Sequence, residues 1–331
     1  MIICRTPFRI SFFGGGTDFP EWYKSNSGMV ISATINKYCF VILRTLPPYF
    51  KYKYRVRYFK NEHARTIEKI RHPSVKAILK KFHKSNDGLE IVHNADLPAQ
   101  SGLGASSAFT VSLINAMSNY NEKFISKRHL AQESINVEQN LLREYVGSQD
   151  QFACAFGGLN IIDFKKSGNI DVNPIVISKS KVDRLRDHTL LFFTGFPREA
   201  QIIEQDKLKK LKKNYNNLKT IYQIAQEAKQ IIYSQNNNSI SELGKLLNES
   251  WKFKKQLSNK VSNKTIDEIY DIAIKNGALG GKILGAGGGG FMLFIVKNTK
   301  SKKLIIQKLR RAKNLEYDFD HTGSQIIYYK K

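Results

Sequence analysis

Cysteine is scarce in this chain. Cys4, Cys39 and Cys154 are the three present in 331 residues, an odd number without metal-ligand spacing. Each sits among apolar neighbours, so the expectation is buried thiols in a reducing cytoplasm rather than a disulfide framework or a zinc site. Long apolar runs are lacking too, which argues against a membrane-spanning helix. Charged Arg5 and Arg9 interrupt the N-terminal stretch where a signal peptide needs an unbroken apolar segment. Acidic residues number 28 against 53 basic ones, for a net charge of +25 and a pI near 9.8. That balance is compatible with nucleic acid, an anionic membrane surface or anionic small molecules. However, 39 of the 53 basic residues are lysine, spread widely among many asparagines, a picture that compositional bias produces equally well. The interleaved aromatic and basic pattern of an RNA reader is absent.

What is present is enough for two sizeable domains: 331 residues with 41% hydrophobic content. Strand signal runs over Ile2–Phe13, Met29–Thr45 and Tyr52–Phe59, and again over Leu89–Val92. Helical spacing appears at His72–Phe82, Ser106–Asn119 and Lys127–Leu142. The second half reads as an apolar strand at His188–Thr194 and a long helical region from Ala200 to Leu257. A helix at Lys264–Gly277, the strand Phe291–Val296, a helix near Lys302–Lys313 and a last strand at Gln325–Tyr329 follow. Strands and helices mixed without βαβ repetition predict an α+β fold. The charged segment Ser178–Asp187 is the expected boundary, dividing the chain into residues 1–183 and 184–331. The run Lys207-Leu208-Lys209-Lys210-Leu211-Lys212-Lys213 reads as a solvated helix face, with a basic docking helix as the alternative.

The stretch from Asp96 to Ala108 carries the most information. Gln100-Ser101-Gly102-Leu103-Gly104-Ala105-Ser106-Ser107 leads straight into the apolar helix that begins at Phe109. Glycines let the backbone approach an anion, and the helix start aims free N–H groups and its positive dipole end at that anion. No lysine occurs between Asp96 and Asn121, so this is not a Walker-type loop. Three other features accompany it. Arg9-Ile10-Ser11-Phe12-Phe13-Gly14-Gly15-Gly16-Thr17-Asp18 runs a strand into a triple-glycine turn, where Asp18 can accept sugar hydroxyls and Arg9 can fork a carboxylate or a phosphoryl group. The alternative is a plain strand turn with Asp18 as a helix cap. Glu138 and Asp150 follow, one late in a helix and one after Gly147. They suit a magnesium ligand and a base for a hydroxyl respectively, with Glu144 competing for the first role, while each acid taken singly reads more simply as a surface salt-bridge partner. Gly285-Ala286-Gly287-Gly288-Gly289-Gly290 permits close backbone approach, either to a ligand or between domains.

In this order, from Arg5 to Gly290, the four features resemble the GHMP small-molecule kinases, the family of galactokinase, homoserine kinase and mevalonate kinase. The resemblance implies an N-terminal domain similar to one in ribosomal protein S5 and a ferredoxin-like C-terminal domain. It implies ATP held by the backbone of Gln100, Ser101, Gly102, Leu103, Gly104, Ala105, Ser106 and Ser107. It further implies Mg²⁺ on Ser106 and Glu138, a catalytic Asp150 supported by Arg9, and a substrate turn of Gly15, Gly16, Thr17 and Asp18. Gly15 and Gly16 replace the Glu-His pair of galactokinases. The Gly-Gly-Gly-Thr-Asp turn, Asn36-Lys37-Tyr38 and Gly147-Ser148-Gln149-Asp150-Gln151 are similar to the branch that phosphorylates O1 of D-glycero-D-manno-heptose 7-phosphate for GDP-heptose and surface glycans. Fucokinase- and galactokinase-type sugar kinases are the enzymatic alternatives, and a basic RNA-binding protein is the non-enzymatic one. Arg5, Lys37 and Arg198 are the cations offered for a phosphate already on the sugar. The Tyr49–Tyr58 stretch is offered as an adenine wall.

Overall fold

The computed structural model describes residues 1–196, 200–236, 238–310 and 312–330. The β-rich stretch at the N-terminus forms strand β1 (Ile2–Phe13), which pairs antiparallel with the 19-residue β2 (Gly28–Leu46). The first sheet continues with β3 (Tyr54–Arg57), β4 (Asn61–Ala64), β5 (Gly88–Ala95), β6 (Leu159–Phe164) and β7 (Ile170–Pro174). β2 is long enough to serve three partners beyond β1: β6 along Gly28–Ala33, β5 along Cys39–Leu46, and a short C-terminal strand at Thr34–Ile35. The helix Ala105–Tyr120 lies against β1 and β2 and is buried from Ser107 through Ser118, as its nearly all-round apolar sequence requires.

The second sheet holds β8 (Thr189–Phe193), β9 (Ala278–Ile283), β10 (Phe291–Val296) and β11 (Lys313–Leu315), all antiparallel, in the order β11-β8-β10-β9. Helices separate β8 from β9 and β10 from β11. The chain order is therefore β-α-β-β-α-β, and the spatial order 4-1-3-2 is that of a ferredoxin-like unit. β10 is buried at all six positions, which explains its unbroken apolar sequence.

Two sequence expectations need correction. The division into 1–183 and 184–331 is not clean, because β12 (Phe319–Asp320) and β13 (Gln325–Tyr329) return to the first sheet. There β13 pairs with β1 and β12 with β2. β13 covers the edge of β1 that would otherwise present unpaired amides. The expected boundary segment Ser178–Asp187 holds a helix, Lys179–Asp187, that buries Leu185. The region from Ala200 to Gln256 resolves into helices Ala200–Lys209, Tyr215–Tyr233 and Ser239–Gln256, so the basic run from Lys207 to Lys213 is split across a helix end. One hydrophobic core joins both sheets, with Ile10, Leu113, Leu191, Leu218 and Ile295 in the same cluster.

Candidate active site

A cleft of about 530 Å³ opens where the two units meet, and residues from each of the four features that carry the resemblance line it. Its floor is the Gln100–Ser107 loop. Gln100, Gly102 and Gly104 all take left-handed φ, at 59°, 84° and 80°. Left-handed residues alternating along a short loop turn successive N–H groups toward one point and make an anion cradle. Gly104 is the N-cap of the Ala105–Tyr120 helix, so the helix dipole aims at the same place. Leu103 is fully buried and anchors the loop in the core.

Arg9, delivered by β1, ties this loop to Asp150. Its Nε and Nη2 donate to the two carboxylate oxygens of Asp150 at 2.7 and 2.6 Å, and its Nη1 donates to the Gly102 carbonyl at 2.6 Å. The Arg9 amide also donates to the Leu103 carbonyl at 2.9 Å. Asp150 stands in the first turn of helix Gln149–Phe156, where a carboxylate is favoured by the helix N-terminus. Arg9 is 3% exposed and Asp150 23%, so the arginine is shielded and the carboxylate faces the cleft.

The triple-glycine turn lies alongside. Gly14 is irreplaceable on packing grounds, since a Cβ there would sit 1.7 Å from the Met29 carbonyl at a φ of +82°. Gly15 and Gly16 line the cleft, but Thr17 does not. Its hydroxyl donates to Gly14 O at 2.8 Å and holds the turn closed. Asp18 accepts from the Gly16 amide and from Gln149 Nε2, both at 2.9 Å, and does not cap the next helix. Burial raises its carboxyl to about 6 against the pull of the Gly16 amide. A Cβ on Gly147 would fall 1.8 Å from Asp18 Oδ2, so the segment carrying Asp150 must pass Asp18 with a glycine.

Glu138 occupies a π-helical turn, Asn136–Leu141, that interrupts the expected helix and is fully buried behind Ser107. Ser107 Oγ donates to Glu138 Oε2 at 2.9 Å and Gln151 Nε2 to the same oxygen at 2.5 Å. Ser106, the expected partner, lies exposed on the cleft wall, turned by about 100° around the helix from Ser107. Among the described residues, no three acidic, histidine or cysteine side chains gather as a complete metal site. The pair nevertheless suits a hard cation. Glu138 Oε1 is buried without a hydrogen-bond partner, and burial pushes the carboxyl to about 7. A magnesium ion would relieve both, because it binds through one or two carboxylates and completes its shell with phosphate oxygens. Glu144, the competing acid, lines the cleft instead.

The second unit supplies the opposite wall, including Lys207, Lys254, Lys282, Gly285 and Ala286. The C-terminal glycine run packs the second unit on the first at one end and borders the cleft at the other. Gly285 faces the cleft, while a Cβ on Gly290 would lie 2.2 Å from Ser101 O, which accepts the Phe291 amide at 2.9 Å. Lys282 is buried and donates to Phe12 O at 2.7 Å, and burial beside Arg9 lowers it to about 7. Sequence reasoning named Gln149 and Gln151 only as part of a motif and Lys207 only as part of a basic run, and it passed over Lys254 and Lys282. The glutamines were legible as neighbours of Asp150, but nothing distinguished Lys254 and Lys282 from the many other lysines. Tyr49 is 92% exposed, and the Tyr49–Tyr58 stretch contributes nothing to this cleft.

Comparisons with known proteins agree with this geometry. Residues 69–158 match the GHMP kinases N terminal domain, and residues 224–315 match the GHMP kinases C terminal domain. A D-glycero-alpha-D-manno-heptose 7-phosphate kinase of Campylobacter jejuni is 33% identical over 97% of both chains. A bifunctional fucokinase/GDP-fucose pyrophosphorylase of Arabidopsis thaliana is 24% identical over 94% of this chain but 31% of its own length. In structure, a D-glycero-D-manno-heptose 1-phosphate kinase of Bacteroides thetaiotaomicron superposes with a TM-score of 0.81 at 21% identity, covering all of both chains. Lactococcus lactis galactokinase, solved with galactose, gives 0.71 at 19% identity, covering 98% of this chain and 94% of its own. At these identities the two structures speak for the fold. The chain belongs to the GHMP kinase family and is an ATP-dependent phosphotransferase of the two-domain GHMP fold.

Proposed function

We propose that this protein transfers the γ-phosphoryl group of ATP to the anomeric O1 of D-glycero-D-manno-heptose 7-phosphate. The product is the 1,7-bisphosphate, on a cytoplasmic route to GDP-heptose and capsule or other surface glycan. The observation that carries the reading is the placement of Asp150. One carboxylate, forked by Arg9, faces a cleft with an anion cradle on one side and the Gly15–Asp18 turn on the other. The 33% identical heptose kinase relative supports the choice of sugar, as do Gly15 and Gly16 standing where galactokinases carry a Glu-His pair.

In this mechanism the backbone of Gln100–Ser107 holds the triphosphate. Ser107 and Glu138 would hold Mg²⁺, with Ser106 beside them on the cleft wall. The ion supplies positive charge to the phosphoryl oxygens. Asp18 accepts hydrogen bonds from sugar hydroxyls and sets the position of O1. Asp150 uses a lone pair not engaged by Arg9 to accept the O1 proton as the hydroxyl attacks. Arg9 holds that carboxylate in plane through its two-pronged fork. Placement and charge stabilisation provide most of the acceleration, as in phosphoryl transfer generally. A coupled ADP-release assay with heptose 7-phosphate, heptose, fucose and galactose tests the reading. Turnover confined to the phosphorylated heptose supports it, and preference for fucose or galactose replaces it with those kinases. Salt-sensitive RNA retention without ATP turnover is the outcome that charge alone predicts.

A further inference from the structure

An acceptor that already carries a phosphate needs a second anion site, and the location of that site rests on the proposed choice of acceptor. Of the cations offered by the sequence, Arg5 and Lys37 do not line the cleft. Arg5 stacks 4.5 Å over Tyr38 and donates to Gln325 at 3.0 Å. Arg198 lies outside the described residues. Among the described residues, the cations that line the cleft are Arg9, Lys207, Lys254 and Lys282.

These four are not equivalent. Arg9 is engaged by Asp150 and Gly102. Lys254 donates to the carbonyls of Ile283 and Gly285, at 2.8 and 2.6 Å, and Lys282 donates to that of Phe12. Lys254 thus ties its helix to the carbonyls on either side of Leu284, and Lys282 ties β9 to β1. Lys207 pairs with a side chain, Glu204, one turn earlier on its own helix, with Nζ at 3.2 and 3.1 Å from the two carboxylate oxygens. Its side chain is only 11% exposed. Lys207 also borders a small recess shared with Gly16, Phe19 and Leu257 and with no residue of the phosphate loop, which places it at the sugar end of the cleft. Its helix is fastened over that end by Gln201, which accepts the Tyr145 amide at 2.8 Å, and by Gln205, which donates to the Tyr145 hydroxyl at 3.1 Å.

We propose that Lys207 is the specificity-determining contact for the phosphate carried by the acceptor sugar, with Glu204 holding its ammonium in place until that phosphate arrives. Glu204 competes with the phosphate for the same ammonium, so the two residues have opposite effects on affinity. A purely structural Lys207–Glu204 pair has no such asymmetry.

The test compares the parent enzyme, Lys207→Met and Glu204→Gln by steady-state kinetics with D-glycero-D-manno-heptose 7-phosphate and with the same heptose lacking phosphate. The expected result for Lys207→Met is a rise in KM for the phosphorylated sugar of about 10- to 100-fold, the worth of a charge-assisted hydrogen bond. KM for ATP and for unphosphorylated heptose should stay unchanged. Glu204→Gln should lower KM for the phosphorylated sugar. An unchanged preference in Lys207→Met, or shifts of the same sign in both variants, overturns the assignment to Lys207 alone. A parent enzyme that shows no preference for the phosphorylated sugar overturns the proposed acceptor as well.

Discussion

The two walls of the cleft are built on different principles. On the wall from the first unit, side chains brace side chains. Arg9 forks Asp150, Gln149 holds Asp18, and Gln151 and Ser107 hold Glu138. Three consecutive residues, Gln149-Asp150-Gln151, thus reach Asp18, Arg9 and Glu138 in turn, which the proposed mechanism assigns to the sugar, the reacting hydroxyl and the metal. On the wall from the second unit, the ammonium groups of Lys254 and Lys282 rest on backbone carbonyls while Lys207 pairs with Glu204, and glycines bring the chain against the Gln100–Ser107 loop. A brace between side chains fixes direction, which in-line transfer and proton acceptance require. An ammonium on a carbonyl supplies charge without placing another acid beside the phosphates. An ammonium also carries three donors, so the single carbonyl bond of Lys282 does not exhaust it. In the proposed mechanism the first wall does the chemistry and the second faces the anions.

Several substitutions sharpen or break that contrast. The largest effect should come from Asp150→Asn. Turnover is expected to fall about 10²- to 10⁴-fold, the range for loss of a general base, while ATP affinity measured by calorimetry is retained. Equal losses of ATP binding and turnover would put Asp150 on the nucleotide side of the cleft. Gln149→Ala releases Asp18 without touching Asp150. KM for the sugar should then rise by roughly 10-fold or more, as for losing a hydrogen bond to a charged group, with little change in KM for ATP. If both Michaelis constants moved together, the brace would not be specific to the sugar turn.

Gly15→Ala is a subtler probe. Gly15 does not have positive φ, and its added Cβ would meet only Ser11 Oγ at 3.6 Å and Gln149 Nε2 at 3.8 Å. The fold should therefore accept alanine with an unchanged melting temperature, and any rise in KM for the sugar reports the sugar's own approach to the turn. An unchanged KM would remove Gly15 from the substrate site.

The smallest effect concerns pH. Glu138 is raised from its ordinary 4.5 to about 7 by burial, so the folded protein holds this proton longer than the unfolded chain does. The stability it contributes is complete below 4.5 and is lost as pH rises through about 7. Melting temperature without nucleotide should therefore decline across that window, and Glu138→Gln should flatten the decline. An equal slope in the variant would assign the titration to another group.

Much of this was legible in the sequence, for identifiable reasons. β1, β10 and β13 were read at their true bounds because strand alternation or an unbroken apolar run leaves few registers. The loop before Ala105 stood out because glycines and serines ahead of a buried helix have few other uses. Arg9 and Asp150 were each singled out, yet their pairing across 141 residues was visible only through resemblance. The choice between Ser106 and Ser107 was not legible, since neighbouring helical residues differ only in the direction they face. Nor was the π turn at Glu138, which no residue pattern announces. Lys207 was hidden in a lysine-rich run whose other members look the same in sequence. The return of β12 and β13 follows from an edge strand needing cover, which is a property of the sheet rather than of any local stretch.

The most direct measurement is phosphorus NMR of the product formed from ATP and D-glycero-D-manno-heptose 7-phosphate. With the parent enzyme, a second sugar phosphate resonance coupled to the anomeric proton should appear in step with ADP, and with Asp150→Asn it should not. ADP release without an anomeric phosphate, or product formed equally well by Asp150→Asn, would contradict the account.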